Sequence, residues 1–223
     1  DGMLNILESK NVSGQLFISM THQKVLQALR QADYLSRKYH VVIANPPYMG
    51  GKGMNGRLKT FLEDSYSDYK SDLFSAFVVR CSELGAKYSN IGIMSPNVWM
   101  YITSHERLRI FLTESRALHS LVELPLTGFK GATVQICAYN FSNKRSPKLQ
   151  GGYIRLVDFK GADEEMAALT KEAIQNNDCG WFYRASASDF RKIPGSPIVY
   201  NLGRATYEAY SLHPKIDKFG ETG

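Results

Sequence analysis

The residues with the clearest chemical potential in this sequence are four consecutive ones, Asn45-Pro46-Pro47-Tyr48. They follow the apolar run 41–44 and precede a glycine-rich stretch at 49–53. A buried strand that ends in this tetrad would place a side-chain amide, a rigid carbonyl and an aromatic ring at one point on a sheet edge. That combination is suited to holding a flat substrate that carries an amino group and to making its nitrogen attack.

The chemistry predicted for the tetrad is the activation of a planar amine. The lone pair of such an amine is delocalised into its ring, and two acceptors on the two N–H bonds return electron density to the nitrogen. Asn45 offers one acceptor through its side-chain oxygen, and Pro46 offers the other through its backbone carbonyl. Pro47 makes this platform stiff, because proline fixes its own φ and restricts the residue before it. Tyr48 offers a ring for stacking on a base, worth about 1–3 kcal/mol.

A plainer interpretation is that the two prolines simply end a strand in a turn. The strand pattern directly before Asn45, the tyrosine directly after the prolines and the glycines beyond favour the functional interpretation.

The rest of the sequence predicts the elements that must position the tetrad. One helix, from Thr21 to about Arg37, leads into the strand before it. Apolar patterns predict further helices near 71–88 and 104–112 and strands at 90–95, 118–124 and 135–141. This alternation predicts an α/β fold with a doubly wound, mainly parallel sheet, a final antiparallel strand and an α+β extension. The tetrad ends its strand, where ligands bind on such sheets. The runs 133–141 and 151–157 are predicted to pair as a hairpin.

The segment YHVVIANPPYMGGKG at 39–53 resembles motif IV of the S-adenosylmethionine-dependent N6-adenine methyltransferases, whose strand typically reads FDVVIGNPPY. The resemblance implies the C-terminal part of a Rossmann-like methyltransferase sheet and S-adenosyl-L-methionine as cofactor. It implies methyl transfer to N6 of a flipped adenine in DNA. Asn45 and Pro46 would bind the target amine next to the cofactor, and Tyr48 would stack on the base. His40 stands where the family often has aspartate, outside the tetrad.

Two phenylalanines match later motifs of the same family. The stretch from Ser71 resembles motif V, in which an aromatic side chain packs on the cofactor's adenine, and Phe77 is the match. Core packing is the alternative for Phe77. The stretch 127–134 resembles motif VIII, in which an aromatic side chain helps to sandwich the flipped base, and Phe129 is the match. A buried position is the alternative for Phe129. Trp99 ends a Pro-x-x-Trp pattern typical of motif VI, and we expect it to be structural.

The cofactor-cradling loop of the family is not visible in this sequence. Only Gly2 and Gly14 precede Asn45, and neither has the glycine-rich setting that the resemblance requires. We therefore expect an internal piece of a longer protein, with a partial catalytic domain at 1–143 that lacks the first strands. Residues 144–223 are expected to form an extension and a linker toward a target-recognition domain. By itself this piece is expected to bind S-adenosylmethionine weakly or not at all and to be inactive.

The residues also indicate a branch of this family, and they leave alternative functions open. The strings YMGGKG and IPGSPIVY, at 48–53 and 193–200, favour methyltransferases of BREX-type phage-defence systems over the related single-chain restriction–modification enzymes. A protein-glutamine or RNA methyltransferase would use the same tetrad chemistry, but those enzymes end soon after motif VIII. An alternative of another class is a non-catalytic nucleic-acid-binding or interaction module on a degenerate methyltransferase shell.

The charge balance is compatible with double-stranded DNA as a partner. The sequence has 27 basic and 21 acidic side chains, a net charge of +6. Lys52, Arg57 and Lys59 follow the tetrad without an acidic neighbour and are candidate contacts to the DNA backbone. A second basic cluster lies at 144–160. A solvated surface explains both clusters almost as well.

Several classes of site are disfavoured by composition. The three cysteines lie far apart and no histidine has a partner pattern, so we predict no metal, and this chemistry needs no dedicated general base. No apolar run reaches 18 residues, so we expect a cytoplasmic protein without a membrane partner. Other subunits of a defence system are possible partners.

Overall fold

The computed structural model describes residues 2–10, 16–126 and 134–212. The chain divides into two compact units, Asp1–Tyr39 and His40–Gly223. Within the first unit, helix α1 spans Gly2–Glu8 and helix α2 spans Leu16–Ser36, so α2 begins earlier than the sequence predicts. An ion pair of 2.7 Å between Arg30 and Glu8 joins the two helices.

The second unit is built on a six-stranded sheet in the order β1-β2-β4-β3-β5-β6. The strands are β1 (Tyr39–Ala44), β2 (Gly85–Pro96), β3 (Ala117–Glu123), β4 (Ile136–Ser142), β5 (Gln150–Arg155) and β6 (Phe182–Ser186). The helices are α3 (Gly56–Ser65), α4 (Leu73–Leu84), α5 (Glu106–Ile110), α6 (Asp163–Gln175), α7 (Ala187–Phe190) and α8 (Arg204–Leu212), and a π-helical turn, Phe111–Ser115, follows α5.

The strand directions confirm an α/β fold with a mixed sheet. Strand β4 runs antiparallel to both β2 and β3, whereas β3 and β5 are parallel. Strands β2 and β3 therefore point the same way without being neighbours, because the predicted antiparallel strand, β4, lies between them. The predicted hairpin between 133–141 and 151–157 is wrong. Strand β4 has both edges occupied by β2 and β3, so β5 pairs with the free edge of β3 instead.

Strand β1 differs from the sequence prediction in its burial. We expected a buried strand, but Val41 is 59 % exposed and Ile43 is 81 % exposed. The reason is the sheet face, because Val42 and Ala44 point to the hydrophobic core, whereas Val41 and Ile43 point to the opposite face, where the groove beside Ile43 is open. Strand β1 is also the first in the sheet order, and among the described residues no strand covers its outer edge.

One face of the sheet carries the main core. Helix α4 contributes Phe74 and Val78 to it, and the loop after β2 contributes Trp99, whose side chain is fully buried. Trp99 therefore has the structural place expected for it. The extension builds a second core from Leu156, Met166 and neighbouring residues beside β5 and β6. Its strands continue the same sheet, and the division at residue 143 stays a prediction.

A buried carboxylate joins three parts of this unit. Glu123, the last residue of β3, is 4 % exposed. It accepts hydrogen bonds from Asn97 Nδ2 at 2.8 Å, from the Tyr200 hydroxyl at 2.6 Å and from the Tyr101 hydroxyl at 3.3 Å. Burial first, and the neighbouring Glu123 second, raise the pKa of Tyr101 and of Tyr200, so both phenols remain donors. These bonds compensate the desolvation of the carboxylate and tie the end of β3 to the loop after β2 and to the extension.

A buried guanidinium makes a second connection between the same segments. Arg109 is 1 % exposed and donates to the carbonyl oxygens of Trp99 and Gly195, at 2.9 Å each. Next to it, the backbone N–H of Ile198 donates to the carbonyl of Met100 at 2.9 Å. The segment 193–200, singled out in the sequence for its branch-specific string, is thereby fastened to the loop that follows β2.

Buried His105 is predicted to make the stability of this unit depend on pH. The side chain is 4 % exposed, and its Nδ1 lies 3.0 Å from the Ser75 hydroxyl. Burial lowers the pKa of His105, against the opposing effect of Asp72. The unfolded chain therefore takes up its proton near the ordinary histidine value of about 6.5, and the folded chain does so only at lower pH. We predict that the free energy of unfolding, measured by urea titration, falls as pH drops below about 6.5.

His105→Gln should reduce this pH dependence and leave the part due to His119, whose pKa burial also lowers, whereas the same change at exposed His40 should leave it intact. Equal pH profiles for His105→Gln and the unaltered protein would contradict the prediction.

A second prediction concerns the Glu123 hydrogen bonds. Tyr200→Phe keeps the ring, which stacks on Tyr153 at 4.8 Å, but removes the donor at 2.6 Å from the carboxylate. Because a hydrogen bond to a charged group contributes about 1.5–3 kcal/mol, we expect a decrease of that size in the free energy of unfolding, measured with urea. Tyr183→Phe is the matched control, since its hydroxyl lies 3.4 Å from the carbonyl of Gly180 at an exposed position. A decrease no larger than that of the control would show that the carboxylate does not depend on Tyr200.

Candidate active site at the Asn-Pro-Pro-Tyr tetrad

The tetrad lies directly after β1 and close to the edge where β2 ends and β4 begins. Asn45 lines the same groove as Met94 of β2. The Tyr48 hydroxyl has Cys137, near the start of β4, as an electrostatic neighbour. Pro96 of β2 pairs with Ile136 at that edge. The structure therefore places the tetrad at the carboxyl end of β2.

Exposure within the tetrad leaves its polar group accessible. The side chain of Asn45 is exposed, Pro46 is buried and Tyr48 is 40 % exposed. An amide sealed among aliphatic side chains would have excluded a catalytic role. The structure instead presents the amide to solvent on a backbone that two prolines restrict.

The amide of Asn45 has a partner within the tetrad. The Tyr48 hydroxyl donates to Asn45 Oδ1 at 2.9 Å. Burial, and to a smaller extent Cys137, raises the pKa of Tyr48, so the phenol remains a donor. This bond orients the amide with its oxygen toward Tyr48 and leaves that oxygen one further lone pair for another donor. Sequence reasoning assigned stacking to Tyr48 and did not anticipate this contact.

Asp72 anchors the residue that follows the tetrad. Its carboxylate accepts from the backbone N–H of Met49 at 3.0 Å and from that of Phe74 at 3.2 Å, where it caps α4. The N–H of Leu73 donates in turn to the carbonyl of Met49 at 3.0 Å. Sequence reasoning missed this role, although an aspartate directly before an apolar helix is a recognisable capping signal.

A groove of about 450 Å³ begins at Asn45 and runs over the sheet face that carries Ile43. Its walls are mainly apolar and come from β1, β2, β3 and β4, with Ile43, Ala44, Gly92, Ile93, Met94, Ser120, Val122, Ala138, Tyr139 and Asn140 beside Asn45. The amide thus stands at one end of an apolar surface, which suits it to a ligand that is flat and mostly apolar with a few polar atoms.

The two phenylalanines singled out in the sequence have different outcomes. Phe77 is 39 % exposed on α4, although its neighbours Ala76 and Val78 are buried. Core packing therefore does not account for Phe77. Phe129 lies outside the described residues.

Two of the three basic residues singled out after the tetrad lie in one groove. Lys52 and Lys59 line a shallow groove of about 400 Å³ together with Lys70. Arg57 is exposed on α3 but does not line this groove. Lys70 also pairs with Glu63 at 3.8 Å. Sequence reasoning missed Lys70, because it joins the other two lysines only through the packing of α3 against the turn that precedes α4.

The described residues meet the requirements of neither a metal site nor a membrane-spanning helix. They contain no group of three or more His, Cys, Asp or Glu side chains arranged to hold a metal ion. Among the same residues, no helix combines the length and the apolar character needed to cross a bilayer.

Comparison with known proteins places the chain in a family. Residues 7–129 match the sequence model of the Eco57I restriction-modification methylases. The chain is 32 % identical to the adenine-specific methyltransferase BrxX of Escherichia coli O9:H4 (strain HS), over 85 % of this chain and 15 % of that protein. It is 31 % identical to the adenine-specific methyltransferase PglX of Lacticaseibacillus casei (strain Zhang), over 95 % of this chain and 19 % of that protein. The chain therefore spans less than a fifth of the length of these two relatives.

A solved structure supports the fold. The methyltransferase subunit of a type I restriction-modification system from Streptococcus thermophilus matches with a TM-score of 0.54 and 15 % identity, over 74 % of this chain and 38 % of that one. This shared fold, together with a family match whose range spans the position of the tetrad, leads to one conclusion: the chain belongs to the Eco57I restriction-modification methylase family.

Proposed function

We propose that this chain forms part of the catalytic domain of an enzyme that transfers a methyl group from S-adenosyl-L-methionine to N6 of a flipped adenine in double-stranded DNA. The observation that carries the proposal is the exposed Asn45 amide, oriented by the Tyr48 hydroxyl at 2.9 Å beside an apolar groove. The adenine-specific names of the BrxX and PglX relatives support this substrate, and they favour a phage-defence system of BREX type.

In this proposal the tetrad binds the target amine directly. Asn45 Oδ1 and the carbonyl of Pro46 each accept one N–H of the amine, which restores electron density to its nitrogen as the methyl group is transferred. Pro47 keeps the second acceptor in place, because two consecutive prolines leave little backbone freedom. No side chain needs to remove a proton before the attack, since the amine attacks through its own lone pair. The new nitrogen–methyl bond would form as the methyl–sulfur bond of the cofactor breaks, with that electron pair staying on sulfur, and the methylated nitrogen would then release one proton to water.

Tyr48 has two roles in the proposal. Its ring stacks on the flipped base, which offsets part of the few kcal/mol needed to unstack that base. Its hydroxyl orients the amide so that the oxygen of Asn45, rather than the nitrogen, faces the amine. Phe129 is proposed to stack on the opposite side of the base.

The cofactor is proposed to bind next to the tetrad. When bound, S-adenosylmethionine supplies an electrophilic methyl group. Asn45 and Pro46 would border it, and the exposed ring of Phe77, on a stretch of α4 that is otherwise buried, fits the role of packing on its adenine. No glycine-rich turn precedes Asn45 in this sequence, so we propose that residues 1–223 alone bind the cofactor weakly or not at all and are inactive.

The DNA backbone is proposed to pass over the lysine groove. Lys52, Lys59 and Lys70 converge there, and Arg57 lies exposed on the same helix as Lys59. Side chains of this kind position a duplex through its phosphates without reading its sequence. Other subunits of a defence system remain proposed partners.

The amide acceptor is tested by Asn45→Ala in the intact protein. Because removing a hydrogen-bonding group that acts on the reacting centre costs about 10²–10³ in rate, we expect methyl transfer to adenine to fall by at least that factor. DNA affinity should stay within about twofold, since phosphate contacts dominate it. The measurement is methyl incorporation into duplex DNA, with Asn90→Ala, exposed on β2, as the control. Near-normal methylation by Asn45→Ala would show that this amide is not the acceptor.

The two roles of Tyr48 are separated by Tyr48→Phe and Tyr48→Ala. The phenylalanine variant keeps the ring but cannot form the bond to Asn45, and one such bond contributes about 1 kcal/mol, so kcat should fall about fivefold with little change in KM for DNA. The alanine variant also removes stacking, so its kcat/KM should fall by a further ten- to hundredfold. Full activity of Tyr48→Phe would contradict the orienting role, and equal activity of the two variants would contradict stacking.

A further inference from the structure

The far end of β2 carries a feature that the proposed reaction does not use. Tyr88 has a φ of +69°, a conformation that L residues with large side chains rarely adopt. Its ring is 57 % exposed, so burial of the ring does not compensate for the strained backbone. An outlier of this kind, at a bulky residue without a packing role, is a reason to look for a function.

The backbone around Tyr88 is held from both sides. The Asn143 amide donates to the carbonyl of Ser82 at 2.5 Å, and the N–H of Asn143 donates to the carbonyl of Ser89 at 3.0 Å. At Gly85 an added Cβ would meet Ser89 Oγ and, at 2.6 Å, Asn143 Nδ2, so a larger residue there would displace both side chains. The first residues of β2, which present Tyr88, are therefore held in place by their surroundings.

Two ammonium groups flank the exposed ring. The Nζ atoms of Lys87 and of Lys144 each lie 5.1 Å from its centroid, within the range of a cation–π contact. Arg145 is exposed next to Lys144. Within the described part of the chain, no carboxylate forms an ion pair with Lys87, Lys144 or Arg145. We call these four residues, Lys87, Tyr88, Lys144 and Arg145, the Tyr88 patch.

The chemistry of the Tyr88 patch selects its partner. Two ammonium groups held on one ring without a paired carboxylate attract a polyanion, and once phosphates draw these groups away, the ring offers a stacking surface for a base. Phosphates spaced along a nucleic-acid strand match both properties. An acidic protein segment would satisfy the charges but would leave the ring without a stacking partner.

We propose that the Tyr88 patch binds the backbone of a nucleic-acid strand at a place separate from the candidate active site. Tyr88 and Met94, which borders Asn45 in the groove, are six residues apart on β2, about 20 Å along the strand. A base held at Asn45 therefore leaves the Tyr88 patch to different phosphates. The contact does not depend on the identity of the methylated base, and it does not rest on the proposed methyl transfer.

The test measures how the affinity of the intact protein for a duplex DNA oligonucleotide depends on salt concentration, by fluorescence polarisation. The oligonucleotide is built only from G·C base pairs, so it contains no adenine. The Lys87→Gln/Lys144→Gln double variant should lower the slope of log K against log salt by about 2, because two phosphates would no longer be neutralised by a lysine. The Lys24→Gln/Lys171→Gln double variant removes the same charge from exposed positions on α2 and α6 and should leave the slope within about 0.5 of the unaltered protein.

Tyr88→Gly separates binding from folding. Glycine tolerates the positive φ, so this variant should unfold at the same or higher urea concentration, while its affinity for a single-stranded oligonucleotide falls several-fold because the ring is absent. An unchanged slope in the Lys87→Gln/Lys144→Gln variant would overturn the proposal, as would an equal decrease in the control pair. Unaltered single-strand affinity in Tyr88→Gly would overturn the stacking contact. Methylation of a target duplex, measured alongside, reports separately on the tetrad.

Discussion

The contact on which the candidate site depends is the hydrogen bond from the Tyr48 hydroxyl to Asn45 Oδ1. A side-chain amide has two ends of similar shape and opposite hydrogen-bonding character, and a half-turn would replace an acceptor with a donor. The tyrosine removes that ambiguity at a position where the prolines already restrict the backbone. Asp72 holds the next residue, Met49, so the tetrad is fixed at its exit as well as within itself.

The surroundings of the tetrad are organised by two buried charges. Glu123 collects hydroxyl and amide donors from the loop after β2 and from the extension, and Arg109 donates to carbonyls of the same two segments. A buried charge is costly unless it is fully hydrogen-bonded, so each of these residues requires its partners to stay in place. The extension is consequently part of the packing that supports the site, and segment 193–200 is its point of contact.

Exposure of Ile43 and of the groove beside it follows from the pleat of β1, which turns Val42 and Ala44 to the core and leaves Ile43 on the opposite face. The strand is also the first in the sheet order, and Ile43 on the groove side is 81 % exposed. Apolar edge strands are usually covered in native proteins. The chain spans less than a fifth of the relatives BrxX and PglX, which leaves ample sequence in proteins of that kind to cover such an edge.

The sequence by itself determined the tetrad, the strand before it, the α/β alternation and the family resemblance, because these depend on local patterns of proline, glycine and apolar residues. The sequence could not show which side chains of α4 are exposed. The three- and four-residue spacing grouped Phe77 with Phe74 and Val78, and only packing placed Phe77 outside the core. The hairpin prediction failed for a related reason, since strand partners depend on which edges remain free. Tertiary structure alone brought Asp72 to Met49, Tyr200 to Glu123 and Lys144 to Tyr88, because contacts between residues distant in the chain are decided by packing and not by local sequence.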